Sequence, residues 1–89
     1  MSLRISDSVI WQETGDGISL YHTETGDFHS LNESGSKIWE LVASEGEREK
    51  IITRLAEEFA GDNALVTVRI MRDVDEFLAG MVQQGLLEE

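Results

Sequence analysis

Cysteine is absent from the chain, and cations are scarce. Without thiols there is no disulfide framework, no thiolate nucleophile and no thiolate metal site, a composition compatible with a reducing compartment. Seven Lys and Arg stand against eighteen Asp and Glu, a formal net charge of -11. That balance repels a phosphate backbone, argues against nucleic-acid binding, and favours solubility or a basic partner. No stretch approaches the ~20 consecutive apolar residues of a membrane span, and Met1 to Asp7 lacks the apolar run of a signal peptide. The expectation is a cytoplasmic protein with no membrane contact. Its 89 residues are expected to form one domain, 1–89, with no room for a second catalytic unit.

Catalytic signatures are missing too. His22 and His29 lie on alternate strands near Glu24 and Asp27, but two histidines at no recognised ligand spacing do not make a metal site. Ser, His and Asp all occur without a nucleophile-elbow motif, and the carboxylates are scattered over helix faces, where they serve solvation. Gly15, Gly17 and Gly26 belong to hairpin turns, not to a phosphate-binding strand-to-helix crossing. The sequence therefore predicts no enzyme, no cofactor and no metal.

What is present is a change of period at Leu31–Val42. Before it apolar residues alternate; after it they recur every three or four. Asn32 is a good N-cap, Glu33 places negative charge at the positive end of the helix dipole, and Leu31, Gly35, Ile38, Trp39 and Val42 share one face. A strand is expected to end at Leu31 and a helix to begin at Glu33.

Upstream, Val9-Ile10-Trp11, Gly17 to His22 and Asp27 to Leu31 read as three strands. The tetrapeptide Glu-Thr-Gly-Asp recurs at Glu13–Asp16 and Glu24–Asp27, which predicts two similar turns with Gly15 and Gly26 at positive φ. Ile18, Leu20, His29 and Leu31 would face the core, and Ser19, Tyr21, Phe28 and Ser30 would face outward. The third strand should be an edge. Phe28 to Leu31 carries no Pro and no Lys, the usual deterrents to pairing with an arriving chain.

Downstream, Ser44 and Glu47 have the spacing of a capping box. A second helix presents Ile51, Ile52, Leu55, Ala56 and Phe59 on one face and stops at Gly61. Asp62 or Asn63 caps a third helix of about twenty residues, ended by a left-handed Gly85. Its apolar residues divide into a core sector of Met71, Val74, Leu78, Met81 and Val82 and a second sector of Val66, Ile70 and Phe77, interrupted by Asp73. An arc this wide means either that the helix is buried on two sides or that part of it awaits a ligand.

The string LNESGSKIWELV resembles the LN-x-x-(G/A)-x-x-(I/V)-W/L signature of the PqqD-like family, and the tail Asp73-Val74-x-x-Phe77-Leu78 … Gly85-Leu86-Leu87 resembles that family's ending. The likeness spans nearly the whole chain. It implies an α+β fold like a winged helix-turn-helix, a three-stranded antiparallel meander followed by three helices. It also implies a noncatalytic recognition element that holds the leader region of a ribosomally made precursor against the third strand and third helix. The residues so implicated are Phe28, His29, Ser30 and Leu31, with Val66, Arg69, Ile70, Asp73 and Phe77. The implied second partner is a separate maturation enzyme: a leader peptidase in a lasso-peptide pathway, a radical enzyme in the PQQ pathway. The stand-alone length and the Ile38-Trp39 pair resemble the lasso type more. Two other readings stand beside it: a winged-helix DNA-binding regulator, which the order of elements suits, and a plain protein-interaction or subunit module with no peptide groove, in which a dimer would bury the wide arc of the third helix. The first needs a basic recognition helix, yet Ala64 to Gln84 sets Arg69 and Arg72 against Asp73, Asp75 and Glu76.

Overall fold

The computed structural model describes residues 2–89. In chain order these form β1 (Arg4–Ile5), β2 (Val9–Thr14), β3 (Gly17–His22), β4 (Phe28–Leu31), α1 (Glu33–Ser44), α2 (Arg48–Phe59), α3 (Ala64–Gln83) and β5 (Leu87–Glu88). The α+β class and the meander followed by three helices are as the sequence predicts. Strands β2, β3 and β4 make an antiparallel sheet in that order, leaving β4 at one edge. Its inner face carries Ile18, Leu20 and His22, all buried.

Helix α1 begins as its cap residue requires. Asn32 Oδ1 accepts from the Gly35 N–H at 2.8 Å, which satisfies one of the donors left open at a helix start. The helix buries Gly35, Ser36, Ile38, Trp39 and Val42. Trp39 is fully buried and meets Trp11 edge-on, ring centroids 6.3 Å apart. Around it the sheet, Ile51, Ile52 and Leu55 of α2, Val74 and Leu78 of α3, and Leu86 and Leu87 share one core.

Helix α3 is capped by Asn63, whose side chain accepts from the Val66 N–H at 3.1 Å. It ends as expected at Gly85, φ +77°. The Leu86 N–H reaches the Met81 carbonyl (2.9 Å) and the Gly85 N–H the Val82 carbonyl (3.0 Å), a Schellman pairing that turns Leu86 into the core.

Several expectations are corrected. The two Glu-Thr-Gly-Asp copies do not form similar turns. In the first, Glu13 and Thr14 still belong to β2, and the residue with positive φ is Gly17, not Gly15; in the second, the tetrapeptide lies in the loop beyond His22 and Gly26 takes φ +78°. Gly17 is needed on two counts: φ is +147°, and a Cβ there would stand 2.2 Å from the Leu31 carbonyl oxygen. The capping box at Ser44 is not made. Ser44 Oγ donates to the Leu41 carbonyl, and Glu47, the N-cap of α2, makes no side-chain cap. Phe59 and Met71, expected in the core, are 58% and 40% exposed. Finally, β1 and β5 pair with each other through Arg4↔Glu88 and Ile5↔Leu87, a small second sheet that escapes sequence reading because two-residue strands carry no period.

Candidate functional site

Strand β4 has a partner on one side only, and the alternation of its hydrogen bonds with β3 decides which of its groups face the open edge. The His22 N–H donates to the Asp27 carbonyl at 2.9 Å, next to the Tyr21↔Phe28 pair. Hydrogen-bonded and non-hydrogen-bonded pairs alternate in an antiparallel ladder, so the bonds of β3 to β4 fall on Leu20↔His29 and Ile18↔Leu31. The N–H and C=O groups of Phe28 and Ser30 therefore point away from β3, toward the open edge. The side chains of these two residues stand exposed on the outer face, while His29 and Leu31 are half-buried on the inner one.

Next to the inner end of β4, α1 and α3 converge. A Cβ on Gly35 would lie 3.1 Å from the Phe77 ring and 3.6 Å from Leu31 Cβ, so the missing side chain of Gly35 lets Phe77 settle at the junction of β4 and α1. One turn back along α3, Ile70 and Asp73 line a pocket of about 290 Å³ with Glu33, Ser34, Lys37 and Ile38 of α1 and Leu55 and Phe59 of α2. Its floor is apolar, and Glu33, Lys37 and Asp73 supply charge. Lys37 pairs with Glu58, and its Nζ lies 5.0 Å from the centre of the Phe59 ring.

Of the residues implicated from sequence, Leu31, Ile70, Asp73 and Phe77 thus gather around the start of α1. Val66 is half-buried nearer the start of α3, and Arg69 is exposed. Neither lines the pocket. Phe28 and Ser30 offer edge backbone, with their side chains turned to the opposite face. Asp73 makes no hydrogen bond or ion pair among the described residues, so the pairing with Arg69 that an i, i+4 spacing allows is not formed. Sequence reasoning missed Lys37, Ile38, Leu55 and Phe59 as pocket residues. The available signal was Lys37, the single cation within α1.

Elsewhere the charges are structural or diffuse. Arg48 at the start of α2 grips Asp75 of α3 with two bonds of 2.5 and 2.8 Å. These hydrogen bonds hold the Asp75 carboxyl below its ordinary value, and the same contact raises Arg48. A wider depression of about 810 Å³ between β2, α1 and α2 is lined by Trp11 and by charges of both signs, Glu13, Glu40, Glu57 and Glu58 with Lys37 and Arg54. Among the described residues no group of three or more His, Cys, Asp or Glu side chains could hold a metal ion, and no helix is long and apolar enough to cross a membrane.

Residues 17–87 match the family model of coenzyme PQQ synthesis protein D (PqqD). The chain belongs to the PqqD family. Among solved structures, this PqqD-family chain is similar to TbiB1 in complex with the TbiA(beta) leader peptide, with 30% identity over 96% of this chain and 94% of that one, at a TM-score of 0.84. It shares its fold with lasso peptide synthetase B1 complexed with the leader peptide, at 15% identity, full coverage of both chains and a TM-score of 0.84. No curated protein sequence matches it.

Proposed function

We propose that residues 1–89 act as a noncatalytic recognition domain for the leader region of a ribosomally made precursor peptide. The leader adds to β4 as a fourth strand, antiparallel to Phe28–Leu31, and presents alternate side chains to Val66, Ile70 and Phe77. One observation carries this reading: β4 is an edge of the sheet, and at its Leu31 end Gly35 brings it next to Phe77, the C-terminal member of the half-buried apolar strip Val66, Ile70 and Phe77 on α3. Main-chain pairing supplies affinity that tolerates changes in leader sequence, and the strip supplies selectivity. Arg69 and Asp73, exposed and without an ion pair among the described residues, offer one charge of each sign to the leader.

Support also comes from the relative at 30% identity, whose structure is a complex with a leader peptide. The second partner is a separate maturation enzyme, a leader peptidase if the pathway is of the lasso type. The setting is the cytoplasm, where a ribosomal precursor is released. No cofactor or metal takes part.

Calorimetric titration of the chain with the synthetic leader of a precursor encoded in the same gene neighbourhood tests the reading. Saturable binding at one site is expected, with no change in the peptide's mass after prolonged incubation. Absence of binding, or cleavage of the peptide by the purified chain, overturns it.

A further inference from the structure

The outer face of the sheet is not uniformly polar. The cross-strand register aligns Ile10 with Tyr21 and Tyr21 with Phe28, so these three make one row across all three strands. They are 63%, 39% and 67% exposed, and the Tyr21 and Phe28 ring centroids are 6.1 Å apart. The neighbouring row, Gln12, Ser19 and Ser30, is entirely polar. Both rows stop at β4, at the two residues whose N–H and C=O groups point outward from the edge.

We infer that an arriving strand extends both rows, so that this face forms a second subsite selecting an apolar side chain opposite Phe28. The inference rests on the proposed strand addition. A strand that bonds to the free groups of Phe28 and Ser30 makes its hydrogen-bonded pairs with those two residues, and directly paired residues share a face. The peptide residue opposite Phe28 is thereby forced onto the outer face, next to an exposed aromatic ring. The residue opposite Ser30 joins the polar row, and the residue between them, opposite His29, turns toward the helices.

In an antiparallel strand the residue opposite Ser30 comes first. The ligand class is therefore an extended peptide in which a small or polar residue is followed, two positions later, by a large aliphatic or aromatic one. The intervening residue answers to the α3 strip. The two faces of one bound strand are read independently, the inner by α3 and the outer by Phe28 and Tyr21.

The test begins with selection of random linear peptides, displayed as a library, on the immobilised full chain. Selected peptides are then synthesised and measured for affinity and amide exchange against the wild type and Phe28→Thr, a change at an exposed position that leaves the core untouched. The expected result is enrichment of the polar-x-apolar pattern, new protection of the Phe28 and Ser30 amides, and a loss of about threefold when the apolar residue is replaced by Ala. That loss should vanish in Phe28→Thr. Protection of both amides without pattern or coupling overturns the outer subsite and leaves strand addition standing. Binding without protection on β4 overturns both. If the two amides are already protected in the free chain and it sediments as a dimer, a second copy occupies the edge and the inference falls.

Discussion

Phe77 rests against Gly35, close enough that a single methyl on the glycine would stand 3.1 Å from its ring. This contact joins α3 to the first turn of α1 and, through Leu31, to the end of β4. Gly35→Ala should leave stability within about 1 kcal/mol of the wild type, since the gain in helix propensity offsets the crowding of a ring edge that can shift. A bulkier Gly35→Leu has no such escape and should displace Phe77. Urea unfolding of the two variants checks the contrast.

Phe77→Ala removes the ring from this junction. A loss of about 2 kcal/mol or more in leader affinity is expected, roughly thirtyfold, as for a central aromatic anchor. Calorimetry on the folded variant measures it, and an unchanged affinity would remove Phe77 from the site.

Asp73 presents a different case, because it has an exposed carboxylate and no partner among the described residues. Asp73→Ala should cost the fold less than about 0.5 kcal/mol, the range of surface changes. If the carboxylate meets a polar or cationic group of the leader, affinity falls while stability holds. The opposite outcome, lower stability with unchanged affinity, would give Asp73 a structural role.

Trp39 is fully buried against Trp11, and its Nε1 has no hydrogen-bond partner among the described residues. Trp39→Ala should cost about 3–5 kcal/mol, enough to unfold a domain of marginal stability. Trp39→Phe should cost less, because it keeps most of the ring and deletes a donor that has no partner. Thermal unfolding of the pair gives the comparison.

The Arg48–Asp75 contact carries a pH dependence whose sign is fixed. The folded protein holds Asp75 below the ordinary value of 3.8, so the contribution is complete above that value and is lost as pH falls through the lower folded one. Both side chains are substantially exposed, so the effect is small and weakened by salt. Unfolding of wild type and Asp75→Asn from neutral pH down to about pH 3 should show their difference shrinking toward the acid end.

Much of this fold was legible because local rules and tertiary packing agree. Asn32 caps where a cap was needed, Ile38, Trp39 and Val42 share the face that is buried, and Gly85 ends α3 in the left-handed turn. The failures share a physical cause, that a local string does not know its register or its neighbours. Identical Glu-Thr-Gly-Asp copies entered their hairpins at different points. A helical wheel put Phe59 with Ile52 and Leu55, but at the last position of α2 the ring reaches the pocket mouth and lies near Lys37. The same limit applies to the site. Periodicity separated Val66, Ile70 and Phe77 from the core sector, whereas the junction of Phe77 with Gly35 and the outward groups of Phe28 and Ser30 needed the packing of α1 and the pairing of β3 with β4.

Strand addition at β4 is tested most directly by hydrogen exchange at single amides of the labelled chain, with and without the leader. The Phe28 and Ser30 N–H groups point to the open edge, whereas those of His29 and Leu31 are engaged by β3. The account predicts that leader binding slows exchange at Phe28 and Ser30, changes His29 and Leu31 little, and shifts resonances along 66–77. Perturbation confined to Val9–Gln12, or unaltered exchange at Phe28 and Ser30 with saturating leader, would contradict it.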